Sequence, residues 1–222
     1  MLESLKLGLY QTFILDDNYQ YFIKGLGTTL TVTIFALVLG VILGVIVAVI
    51  RSAYDQQPEK KKGLPLKILN GICKVYLTVI RGTPMMVQLL IMWFIVMKNS
   101  QNGVLVASLS FGINSGAYVS EIVRAGILAV DKGQTEAGRS LGLSKAQTMI
   151  YIVIPQAIKN VLPPIGNEFI VLLKETAIVG YVSLTDLTRA ANQITSRTYE
   201  AFMPLIGAAV IYFTVIKILT IL

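Results

Sequence analysis

Asp131-Lys132-Gly133-Gln134-Thr135-Glu136-Ala137-Gly138-Arg139-Ser140-Leu141-Gly142-Leu143-Ser144-Lys145-Ala146-Gln147 is a polar stretch set between two apolar ones, and its punctuation decides the fold. Asp131 with Gln134, and again Ser144 with Gln147, have the spacing of a capping box. Gly142 stands where a helix ending at Leu141 needs a left-handed residue. The stretch therefore reads as a short helix, a sharp turn and a second helix. A ten-residue helix is ~15 Å long, too short to cross a bilayer and too polar to lie inside one. It belongs at the membrane face, as a knob suited to docking a cytoplasmic partner.

Working outward from the knob, apolar stretches run over 22–50, 66–97, 104–129, 150–173 and 201–222, each meeting the ~20 residues that a bilayer core demands. Of the 222 residues 55% are hydrophobic, and mean hydropathy is +0.70, more apolar surface than one soluble core of this length hides. The expected fold class is an all-α membrane protein with five transmembrane helices, 22–222 forming one membrane domain and 131–149 its cytoplasmic loop. Before it, Leu2, Leu5, Leu9 and Phe13 recur at helical spacing, so 1–21 reads as an external amphipathic segment. No basic region with a small-residue cleavage site precedes the first span, which is expected to stay as a signal anchor.

A net charge of +7 raises nucleic acid as a partner for a soluble protein, but here charge is read loop by loop. Arg51, Lys60, Lys61, Lys62 and Lys67 crowd the first connection, and Lys132, Arg139 and Lys145 the one after the third span. Both loops are expected inside, which puts the N-terminus outside and the C-terminus in the cytoplasm, although Lys98, Lys174, Arg189 and Arg197 blur the bias. No nucleic-acid partner is expected. The chain has no histidine and one cysteine, Cys73, so histidine triads, zinc sites and an internal disulfide are out of reach. No phosphate-binding loop occurs either. No metal and no cofactor are expected in this chain, and any ATP that drives it is bound elsewhere.

Ala36, Gly40, Gly44 and Ala48 recur every four residues in the first span, and Gly112, Gly116 and Ser120 in the third, as close helix packing requires. Arg81-Gly82-Thr83-Pro84 lies deep in apolar sequence, where proline removes an amide donor and predicts a break near Thr83. Pro163-Pro164 predicts a second break, in the fourth span. Arg81, Pro84, Pro163 and Pro164 are thus candidate gate positions. Polar groups inside spans are costly and point to function. Asn114, Tyr118 and Glu121 share one helical face of the third span; Lys159, Asn160 and Asn167 flank the double proline, with Glu168 beside them. A carboxylate on one helix and an ammonium on the next complement an amino-acid zwitterion, Glu121 taking the α-ammonium and Lys159 the α-carboxylate. The competing reading pairs Glu121 with Lys159, or with Arg124, as a brace between helices. The segment 175–200, too polar for a span, reads as a re-entrant or surface helix at the outer mouth.

Glu136-Ala137, Gly142 six residues on, then Ile152 and Pro155, resembles the cytoplasmic coupling loop of ATP-binding-cassette importer permeases. Gly138 stands where that pattern has a second alanine and Ile154 where it has leucine. Arg81-Gly82-Thr83-Pro84, Tyr118-x-x-Glu121-x-x-Arg124-x-Gly126, Gly133-Gln134, Pro155-Gln156-Ala157 and Leu173-Lys174-x-Thr176 narrow the likeness to the polar amino-acid branch, the histidine/glutamine type, from residue 20 onward. The resemblance implies a type I importer permease in the bacterial inner membrane. It further implies pairing with a second copy or a similar subunit, two cytoplasmic ATPase subunits that hold ATP and Mg, and an external solute-binding protein. Gly133, Glu136, Ala137, Gly142 and Pro155 would couple ATP hydrolysis to the spans. The substrate class would be arginine, histidine, lysine or glutamine, and the chain itself would catalyse nothing. The alternative is half of an ion-coupled secondary transporter, driven through Glu121 or Glu168. A membrane enzyme finds no paired nucleophile and base.

Overall fold

The computed structural model describes residues 2–58 and 62–221. Lys60 and Lys61 lie outside the described residues, as do the side chains of Leu2 and Leu5. Among the described residues ten α-helices follow in order: α1 (Leu2–Leu9), α2 (Tyr19–Asp55), α3 (Leu64–Gly82), α4 (Met85–Ile91), α5 (Gly103–Leu128), α6 (Lys132–Ser140), α7 (Lys145–Thr148), α8 (Ile154–Glu175), α9 (Leu187–Thr198) and α10 (Phe202–Ile221). No strand occurs among the described residues. Helices α2, α5 and α10 are long and apolar enough to cross a membrane by themselves. Helix α3 and the helical run Met85–Val96 pass the same test only together, as a bent pair that is a broken span or a re-entrant loop. The interruption is at Thr83, whose backbone is extended just before Pro84, as the amide-free proline requires.

The expected fourth span, 150–173, is helical as well, but Gln156, Lys159, Asn160, Asn167 and Glu168 make it less apolar. The break expected at Pro163-Pro164 does not occur: α8 runs through both prolines. The helix is pinned on either side of them. Gly126 leaves no room for a Cβ beside Val161, and the Glu168 carboxylate accepts from the Ser115 hydroxyl at 2.7 Å. Held at both flanks, the segment tolerates the loss of two amide donors, as membrane helices often do.

The chain divides into two compact units. The first comprises Met1–Ala36, Met85–Ser110 and Ile170–Leu222. Its core gathers Phe22, Leu187, Ala191, Ile194 and Ala208, with Phe13 and Tyr212 packed around them. The segment expected to lie at the outer mouth contains α9, whose Leu187, Ala190, Ala191 and Ile194 recur at helical spacing and are fully buried. Its polar residues take the other face. Asp186 caps α9 through the amides of Thr188 and Arg189. Gly25 lets the α2 backbone approach the Asp186 carbonyl, where a Cβ would come within 2.7 Å. At the N-terminus, Phe13 stacks near Phe22 with ring centres 5.3 Å apart, and Gly8 sits tight against Met203.

The second unit comprises Leu37–Pro84 and Phe111–Phe169. Here the two small-residue runs meet. A Cβ on Gly40 would come within 2.8 Å of Ser115, one on Gly44 within 2.6 Å of Val119, and one on Gly112 within 2.6 Å of Leu39. Helices α2 and α5 therefore approach backbone to backbone, which glycine at these positions permits. Ile42, Val45, Ile46 and Val49 on the other side of α2 remain exposed, an apolar face suited to lipid.

Candidate functional site

Three helices of the second unit build a charged cavity of about 650 Å³. Helix α2 contributes Arg51, α3 contributes Lys74, Thr78 and Arg81, and α5 contributes Tyr118 and Glu121. Lys74, Thr78 and Arg81 stand four and three residues apart, so helical periodicity puts them on one face; the same holds for Tyr118 and Glu121. Arg51 Nη1 donates to Glu121 Oε1 at 2.6 Å, and Arg81 Nη1 is 3.8 Å from the same oxygen. The Arg81 guanidinium also lies 5.8 Å from the centre of the Tyr118 ring, within cation–π range. Arg51 Nε is buried and makes no hydrogen bond among the described residues. Two arginines thus flank one carboxylate, and Lys74 lines the same cavity. The arrangement can receive an anionic group, with a polarised aromatic face beside it.

Glu121 is therefore held neither by Lys159 nor by Arg124, the two partners weighed from sequence. Arg124 instead pairs with Asp55 at 2.7 Å, so α2 and α5 carry two oppositely arranged ion pairs one turn apart. Asn114 is buried but does not line the cavity. Lys159, Asn160 and Asn167 are exposed on α8 outside it. Asn160 Nδ2 donates to the Gly126 carbonyl at 3.4 Å, a contact between helices. Arg51 and Lys74 are the residues that sequence reasoning missed. In sequence Arg51 reads only as a loop charge; the four-residue spacing of Lys74 and Thr78, continued to Arg81, is the available signal.

The knob also has defined geometry. Asp131 caps α6, accepting from the Gly133 amide at 2.7 Å rather than closing a box with Gln134. Gly142 is left-handed with φ of 85°. The amides of Gly142 and Leu143 reach back to the carbonyls of Arg139 and Gly138, the double bond of a Schellman turn. Ser144 and Gln147 close a full capping box, and α7 continues through a π-helical turn, Met149–Val153, into α8. Helix α6 leans on that turn through Gly138, where a Cβ would come within 2.8 Å of Ile152 and 2.9 Å of Thr148. Gln156 Nε2 donates to Gln134 Oε1 at 3.3 Å. Glu136 and Ala137 stay exposed. Pro155 follows that π-helical turn, inside a continuous helix where it lacks the amide an ordinary residue would supply.

Residues 63–222 match the family described as binding-protein-dependent transport system inner membrane component, and the chain belongs to that family. It is 42% identical over 175 residues to the arginine transport system permease protein ArtQ of Bacillus subtilis, covering 71% of this chain and 79% of that one. To the glutamine transport system permease protein GlnP of Escherichia coli it is 34% identical over 158 residues, covering 69% and 72%. Its fold matches a chain of an amino acid ABC transporter crystallised with histidines, at a TM-score of 0.82 and 43% identity, over 93% of this chain and 92% of that one. A chain of the inward-facing MetNI methionine ABC transporter shares the fold at a TM-score of 0.74 and 18% identity, over 91% and 93%. The relatives are permease subunits of transporters, and none of the comparisons favours an ion-coupled carrier.

Proposed function

We propose that this chain forms the translocation path of an ATP-driven importer for a polar or basic amino acid, of the class that includes glutamine, arginine, histidine and lysine. The observation that carries the reading is the cavity of Arg51, Lys74, Arg81, Tyr118 and Glu121 in a member of this permease family. The substrate's α-carboxylate meets Lys74 and Arg81, and its α-ammonium competes with Arg81 for Glu121, whose 3.8 Å pair is the looser of the two. Lys74 takes over the carboxylate role first given to Lys159, because it shares a cavity with Glu121.

In this reading two copies pair, a solute-binding protein delivers substrate outside, and two ATPase subunits hold ATP and Mg inside. The chain hydrolyses nothing. ATP-driven closure of the ATPases moves α6, and the Gly138 contact passes that movement to α8 and the spans. The N-terminus lies outside and the C-terminus inside. The test is uptake of radiolabelled glutamine and arginine into proteoliposomes holding this chain, its ATPase and its binding protein. Uptake should require ATP on the side where an impermeant reagent labels a Gln57→Cys variant in a Cys73→Ser background. Uptake that follows an imposed proton or sodium gradient without ATP would sink the reading.

A further inference from the structure

A second cavity of the same unit lies between the end of α5, the start of α6 and the α7 turn, with Gln56 just beyond α2 on its rim. It measures about 230 Å³, below the ~300–1,000 Å³ usual for pockets that enclose a whole small molecule. It therefore suits one end of a larger molecule whose remainder lies elsewhere. Its chemistry is split. Leu128, Met149 and Val153 supply an apolar wall, while Lys132, Lys145 and Thr135 stand on the polar side. Among the described residues no carboxylate lines it. Both lysines are exposed, and neither makes an ion pair or a hydrogen bond among the described residues.

The level at which it sits is equally telling. Helix α5 ends at Leu128, which is 72% exposed, and Tyr151 beside Met149 is 70% exposed. An apolar helix end and an exposed tyrosine mark the boundary between hydrocarbon and head groups. Two ammonium groups with no partner among the described residues, above an apolar wall at that boundary, match a phosphate that carries acyl chains. We propose that this crevice binds the head group of an anionic phospholipid, with Lys132 and Lys145 on the phosphate and the glycerol end against Leu128 and Met149. The inference rests on the family reading only in that the chain is a membrane protein; it does not depend on which solute is carried. Because α6 starts at Lys132, the lipid would steady the knob from its membrane side.

The test uses the full complex, purified with its ATPase subunits in mild detergent from membranes of phosphatidylglycerol and phosphatidylethanolamine. Retained lipid is counted by mass spectrometry. Phosphatidylglycerol should be retained over phosphatidylethanolamine. Lys132→Gln and Lys145→Gln should each lower its retention about fivefold, as expected for one cation at a lipid surface. Replacing both by arginine should preserve it. Unchanged phosphatidylglycerol in the double glutamine variant would overturn the proposal. Release of the lipid by millimolar inorganic phosphate would give the site to a free anion instead. Loss of the ATPase with lipid retention intact would assign the two lysines to the partner. Solute uptake by the parent complex is measured separately, so failure of the transport reading would show there and leave the lipid count unaffected.

Discussion

Asp186 is fully buried where α9 begins, and its carboxylate accepts from the Arg189 amide at 3.1 Å and the Thr188 amide at 2.9 Å. Burial pushes its carboxyl above the ordinary aspartate range, against the pull of those two amides. A carboxyl that keeps its proton to higher pH in the folded chain contributes stability at low pH, which is lost as pH rises through the folded value. Asp186→Asn keeps a good helix cap but cannot ionise. It should therefore melt no lower than the parent at pH 8 and lack the parent's decline from about pH 4 upward. Thermal unfolding of both forms across that range checks this; a parent more stable than the variant at pH 8 would contradict it. At this scale the sequence was half legible. Tyr118 and Glu121 were visible because helical spacing aligns polar groups in an apolar run. The Arg51–Glu121 pair was not, because it joins residues 70 positions apart and local spacing carries no such information.

Helix α6 shows why the departure at Gly138 matters. A glycine in place of alanine reads from sequence as a mild softening, yet Gly138 is buried against Thr148 and Ile152. A new Cβ would meet the flexible end of Ile152 and the shorter, anchored side chain of Thr148, so Gly138→Ala requires a small shift and should be far milder than a larger substitution. Gly138→Leu forces several atoms into the same contact, and overpacking of this kind costs ~1–3 kcal/mol. In the assembled transporter we expect Gly138→Leu to keep ATP hydrolysis while uptake falls at least several-fold, and Gly138→Ala to stay much closer to the parent. Equal uptake in the two variants would show that α6 does not act through this contact. The caps of both short helices were readable because capping rests on neighbours within four residues. The double proline was misread for the opposite reason: whether a helix survives proline depends on what holds its flanks, here Gly126 and Ser115 on α5.

Across the whole molecule, apolar runs and glycine spacing made the helical membrane fold legible before any coordinates. Glycines 40, 44, 112 and 116 all proved to be sites of close approach. The division into two units was not legible, since α2, α5 and α8 each contribute to both and their sequences show no seam. Nor was the burial of α9, because its apolar face is diluted by polar neighbours in any running average. The central claim is that the cavity of Arg51, Lys74, Arg81, Tyr118 and Glu121 holds the transported solute. Its most direct measurement is uptake and ATP hydrolysis, side by side, for Lys74→Gln, Glu121→Gln and Lys159→Gln in the reconstituted complex. Loss of one hydrogen bond to a charged group amounts to ~1.5–3 kcal/mol, or roughly 10- to 100-fold. Lys74→Gln and Glu121→Gln should lose that much uptake while hydrolysis persists, and Lys159→Gln should lose little. Normal uptake in the first two, or a loss confined to Lys159→Gln, would contradict the account.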